Sequence, residues 1–128
     1  MTSFLRWLRL DRSGSRKAVK FSAGEVRFIA EQDGVPEQAL KQQWHAILTD
    51  HPEIGRAYLA QAIYATSSDP NVVLCLSSTK GADPALVEAL AIPFRATFRT
   101  DAHLDTAFLT PDQEADVARV CSPFYAAV

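Results

Sequence analysis

Apolar positions along this 128-residue chain change their spacing several times, and each spacing names an element. Residues 25–30 alternate, which predicts a first strand with Val26, Phe28 and Ala30 on one face. Asp33 and Gly34 then turn the chain, and Pro36 opens a helix near its first position, where a missing N–H costs nothing. Leu40, Trp44, Ile47 and Leu48 make that helix's apolar stripe, and His51 before Pro52 ends it, because the residue before proline is pushed out of the helical region. Residues 54–64 predict the longest strand, with Ala57, Leu59, Gln61 and Ile63 on one side and Tyr58, Ala60, Ala62 and Tyr64 on the other. Turn residues at 67–70 and a second apolar strand at 71–76 complete an antiparallel hairpin. Asp83 and Pro84 start another helix with Leu86, Val87 and Leu90 inward, and Pro93 is expected to kink or end it. A short strand at 106–109 leads into a capping box, Thr110 to Gln113, and a last helix carrying Val117, Val120 and Cys121. Phe124 and Tyr125 follow, tucked against the core.

This element order is β-α-β-β-α-β and then a helix. It predicts an α+β fold of the split β-α-β, ferredoxin-like kind: an antiparallel sheet with helices on one face, plus a C-terminal helix. Ahead of it, residues 3–10 read as a short N-terminal helix capped by Ser3, with Phe4, Leu5, Trp7 and Leu8 as its apolar stripe between Arg6 and Arg9. Residues 11–17 are small and polar, a linker pattern. The expected organisation is a basic amphipathic arm and linker, 1–20, followed by one domain, 21–128.

Charge sharpens that division. Residues 1–20 hold six basic side chains against Asp11 alone, whereas the remainder holds seven basic and fourteen acidic ones. An acidic body is a poor match for a phosphate backbone, so no nucleic-acid partner is expected. No apolar run approaches a membrane span, and Arg6 and Arg9 break any secretory signal. A cytoplasmic location follows, consistent with only two widely separated cysteines, Cys75 and Cys121.

The chemistry-bearing residues do not assemble into a site at this level. His45, His51 and His103 share no ligand spacing with one another or with a cysteine. Residues 77–81 hold serine, threonine, lysine and glycine in an order that is wrong for a phosphate loop, and Asp83 at the following helix start repels phosphate. Asp112, Glu114 and Asp116 suit the first turns of a helix without further purpose. No catalytic, metal or cofactor set is expected, and no enzyme. Cys75, between leucines, reads as a buried inert thiol, while Cys121, late in a helix, is the candidate for a working one.

Two surfaces stand out instead. In a split β-α-β domain one sheet face lacks helices, and here Tyr58 and Tyr64 would lie on it, separated by alanines, as a platform for a partner or a second copy unless the terminal helices cover it. Phe4, Trp7 and Leu8 on the arm form the other. That arm would dock on protein in preference to a membrane, which it would hold weakly and reversibly.

Residues 51–61, HPEIGRAYLAQ, following a helix begun at VPEQ (35–38), and the closing SPFY (122–125) resemble the C-terminal domain of SseB-type proteins, named for enhanced serine sensitivity. The likeness covers about residues 24–128, and Ala57 to Gln61, AYLAQ, is its most specific motif. Members carry a further domain ahead of this one, where this chain has its basic arm. The resemblance implies an α+β domain with a non-enzymatic accessory role and carries no catalytic residues over. The expected function is a protein-interaction or regulatory module. The alternatives are an accessory of sulfur or serine metabolism, tied to sulfurtransferases and using Cys121, and weak membrane association through the arm.

Overall fold

The computed structural model describes residues 6–11, 19–21, 26–65, 69–98 and 103–127. Along the chain run β1 (Arg6–Asp11), β2 (Val19–Phe21), β3 (Val26–Glu31), α1 (Val35–Thr49), β4 (Ile54–Tyr64), β5 (Asn71–Ser78), α2 (Pro84–Thr97), β6 (His103–Leu109), α3 (Pro111–Ala118) and β7 (Tyr125–Ala126). The strands form one sheet in the order β2-β1-β6-β5-β4-β3, with β7 on β4 beyond the end of β3. Every pairing is antiparallel except β5 with β6, which α2 connects as parallel neighbours. Among the described residues the molecule is thus α+β, with a mostly antiparallel sheet and three helices.

From Val26 to Ala118 the element order matches the sequence pattern, but the strand order is not ferredoxin-like. In that arrangement another strand would separate β3 from β4, whereas here they are direct antiparallel neighbours. Strand lengths explain why. Glu31, the last residue of β3, pairs with Ala60, so the first six residues of β4 overrun it. That overrun is about 20 Å, and the 15-residue α1 is about 22 Å long. The chain therefore travels the overhang as a helix and returns beside β3, instead of doubling back to start a parallel strand.

Two bulges interrupt the ladders, and the first corrects the expected face of Ala30. A bulge between Phe28 and Ala30 places Phe28 opposite Ala62 but Ala30 opposite Gln61, so these two residues point to opposite faces of the sheet. A second bulge, at Gly55, puts Ile54 on the same face as Ala57 although they are three residues apart. Residues 6–11 form a strand, not part of a helix: each pairs with β6 from Phe108 back to His103, and β2 pairs back on the strand. A segment this short gains few helical hydrogen bonds, while the exposed edge of β6 offers a full ladder. The hairpin so formed belongs to the same sheet as the rest.

α2 continues through Pro93 to Thr97. Proline leaves without its helical bond the carbonyl four residues before it, that of Ala89. The next carbonyl, Leu90 O, accepts a 2.8 Å bond from the buried Trp44 indole N–H, which ties α1 to α2 beside the weak point. The residues expected beside the core are there: Tyr125 is buried, and Phe124 lies 5.9 Å from Trp44 between ring centroids.

Both sheet faces are covered. α1 and α2 cover one, packing Leu40, Trp44, Leu48, Leu86, Leu90 and Phe94 on Leu59, Leu74, Leu76 and Leu104. α3 and the chain after it cover the other, with Val117 and Cys121 over Tyr58, Ala60, Ala62, Val73, Cys75 and Ala107. The sequence pattern places two helices on one face and leaves open whether the terminal helices cover the other; α3 covers it, because its capping box, with Thr110 Oγ1 accepting from Gln113 N and Gln113 Oε1 from Thr110 N, starts it directly at the end of β6. Among the described residues no helix is long and apolar enough to cross a membrane.

Candidate functional site

β5 and β6 run parallel, but their following helices leave to opposite faces, α2 to one and α3 to the other. A crevice opens outside the carboxyl ends of strands where the connections diverge in this way. Here it measures about 180 Å³ and is lined by Ser77 and Ser78 at the end of β5 and Thr79 after it, by Leu109, Pro111 and Glu114 around the start of α3, and by Glu53 and Gly55. Gly55 sits in the β4 bulge, where an added Cβ would come within 3.1 Å of Ser77 Oγ. That same hydroxyl accepts a 2.9 Å bond from the Arg56 N–H, so bulge and crevice wall are fixed together.

Around Pro111 and Glu114 the crevice meets a wider, shallower groove of about 380 Å³, lined by Arg56, Tyr58, Pro111, Glu114, Ala115 and Ala118. Its floor is a three-residue polar cluster. Arg56 Nε donates to Glu114 Oε2 and Arg56 Nη2 to Glu114 Oε1, while Tyr58 OH donates to Glu114 Oε2 at 2.7 Å. Hydrogen bonding from Arg56 holds the Glu114 carboxyl below the ordinary range. Burial, reinforced by the bond to ionised Glu114, pushes the Tyr58 phenol up to about 12. At neutral pH the cluster is therefore a guanidinium, a carboxylate and a neutral phenol, each serving another. Arg56 keeps 55 % of its side chain exposed, so part of its charge faces the groove.

The residues singled out from sequence fall as follows. Tyr58 and Tyr64 share a sheet face as expected, but that face is not open: they retain 2 % and 5 % exposure beneath the chain that includes α3. Tyr64 OH donates to the buried carboxylate of Asp105. Trp7 and Leu8 lie on β1 in register with Ala107 and Thr106, and Phe4 is outside the described residues. Cys121 is buried after α3, its Sγ 3.4 Å from Leu59 O, and burial pushes its thiol up to about 11. Burial also raises the Cys75 thiol well above its ordinary value. Of residues 77–81, Ser77 and Ser78 end β5 and 79–81 form the expected connecting turn, with Gly81 at φ +74°, and Asp83 caps α2 by accepting from Ala85 N and Leu86 N.

Sequence reasoning missed Arg56, and it read Glu114 only as a dipole partner. A signal was present: Arg56 and Tyr58 are two apart on a strand and so share a face, and the capping box fixes Glu114 in the first turn of the helix that lands there.

The fold and site define an α+β domain with a mixed sheet covered on both faces and a polar rim at the carboxyl ends of its parallel strands. Residues 26–126 match the family described as SseB protein C-terminal domain, and the chain belongs to that family. No curated protein and no solved structure matches it.

Proposed function

We propose that this domain is a non-enzymatic protein-interaction module whose docking surface is the groove between α3 and β4. The observation that carries the reading is the make-up of that groove. Its wall is Pro111, Ala115 and Ala118, small enough for another chain to approach closely, and its floor is an ion pair already held in place. An anchored charge beside a small apolar wall favours a protein surface, since little side-chain freedom is lost on contact. Arg56, half-exposed, would meet an acidic group of the partner. The alternative use of Cys121 as a working thiol is weakened by its burial and raised pKa, because the thiolate is the reactive form.

A photo-crosslinking residue placed at Ala118, in the groove, and at Ala46, exposed on α1 across the sheet, tests this in cells. The expected result is a discrete adduct from position 118 that Ala115→Arg abolishes, with none from position 46. Equal adducts from both positions, or none from 118, would discard the groove as the docking surface.

A further inference from the structure

At the edge of the crevice, whose lining includes Glu53, but outside the groove, three potential ligands converge from two turns of the chain. His51 and Glu53 lie in the turn between α1 and β4, and Asp83 caps α2. One ligand atom of each falls within 4.8 Å of the others, the one such group among the described residues. His51 Nδ1 and Glu53 Oε2 are already 3.2 Å apart. We propose that His51, Glu53 and Asp83 form a binding site for a divalent cation of the zinc type, with solvent completing its coordination.

Three features of the cluster carry this beyond mere proximity. The first is burial with few partners. The Glu53 side chain is only 10 % exposed, and its sole ion-pair partner among the described residues is His51. Three donor side chains thus converge within 4.8 Å, two of them carboxylates that a 2+ ion can bridge.

The second is pre-organisation. Asp83 uses Oδ1 for the cap, at 3.1 Å from Ala85 N and 3.3 Å from Leu86 N, which fixes the carboxylate and leaves Oδ2 for a metal. On the other side, Thr79 N donates to Glu53 O at 3.0 Å, which holds the turn carrying His51 and Glu53 to the end of β5. Bonds of about 2.0–2.2 Å to zinc require donor–donor edges of about 3.3 Å. The His51–Glu53 pair meets this now, and a ligand atom of Asp83 lies within 4.8 Å of both.

The third is donor type. One imidazole and two carboxylates suit zinc or cobalt, whereas calcium takes six to eight oxygens. This site is independent of the docking groove, whose polar residues it does not use.

The test is titration of the full chain with Co²⁺, followed by its visible absorption, with Zn²⁺ as competitor. Asp83→Asn is the informative variant, because asparagine caps a helix as well as aspartate does but lacks the charge. The expected result is one Co²⁺ per chain, displaced by Zn²⁺, with affinity reduced more than about tenfold in Asp83→Asn, Glu53→Gln and His51→Ala. Circular dichroism of Asp83→Asn should match the parent, which separates loss of the site from loss of the fold. Absence of binding by the parent chain would overturn the proposal. So would undiminished affinity in His51→Ala and Asp83→Asn, or an intense thiolate charge-transfer band, which would assign the metal to a cysteine.

Discussion

The two faces of the sheet solve the same covering problem in different ways. On the α1/α2 face, 29 helical residues lie over large aliphatic side chains, and one buried polar bond, from Trp44 to Leu90 O, spans the two helices. On the α3 face, an eight-residue helix and the chain after it lie over Ala60, Ala62, Cys75 and Ala107, flanked by two tyrosines. Eight residues make a helix of only about 12 Å, so it covers the sheet by approaching closely, which small sheet residues permit. Each tyrosine then hydroxyl-bonds a carboxylate, Tyr58 to Glu114 and Tyr64 to Asp105. The first face is built for burial. The second places polar groups at defined positions, and it is from this face that the groove opens.

The sharpest way to break this comparison is to truncate one buried side chain on each face. Leu74→Ala, fully buried under the helices, is expected to cost about 3–4 kcal/mol through lost burial and a residual cavity. Val117→Ala, the main apolar contribution of α3, removes less hydrocarbon and should cost about 1–2 kcal/mol. Urea melts of the two variants decide it. A Val117→Ala loss equal to that of Leu74→Ala would mean that stability is shared evenly between the faces.

How far the sequence foretold these faces follows from where each pattern was local. The α1 stripe Leu40, Trp44 and Leu48, the Asp83 cap and the Thr110–Gln113 capping box depend on neighbours within a few residues, and all appear as expected. The β4 alternation also holds from Ala57 to Tyr64. What escaped was set at long range. The strand order depends on how far β4 overruns β3, the strand at 6–11 depends on the free edge of β6, and the covering of Tyr58 depends on where α3 lands. The bulges at residues 28–30 and at Gly55 escaped as well, since an extra residue in a ladder has no signature in hydropathy alone. The Arg56–Glu114 pair spans 58 residues, and no spacing rule reaches that far.

A milder perturbation sharpens the contrast from the polar side. Tyr64→Phe keeps the ring and removes one donor to Asp105, a carboxylate with no solvent exposure. Depriving a buried acceptor of a partner costs about 1–3 kcal/mol, so the variant should melt measurably earlier although its packing is unchanged. A removed hydroxyl on the helix face, Thr97→Val, is the control: it lets go of a bond to Pro93 O within its own helix and should cost less. If the order is reversed, the tyrosine–carboxylate links are incidental to the α3 face.

The smallest expected effect is a dependence on pH at the groove. The folded pKa of Glu114 lies below its ordinary 4.5, so the protein gains stability from this group above that value and loses it as pH falls through the folded value. Tyr58 works in the opposite direction. Its folded pKa of about 12 exceeds the ordinary 10.0, so its contribution is complete below pH 10 and is lost as pH rises toward 12. Together they give a plateau with an acid arm from Glu114 and an alkaline arm from Tyr58. Arg56 is largely exposed and screened, so the Glu114 arm should be worth less than about 1 kcal/mol. Thermal melts from pH 3 to 8 would show Glu114→Gln and the parent chain differing by a constant amount near neutrality and converging toward pH 3. In Tyr58→Phe the acid arm should persist at reduced depth, because Arg56 still bonds the carboxylate. A gap between Glu114→Gln and the parent that stays the same down to pH 3 would show that the groove floor stores no charge-dependent stability. Its ion pair would then be a surface contact like any other, and the division between a face for burial and a face for positioning would rest on Asp105 alone.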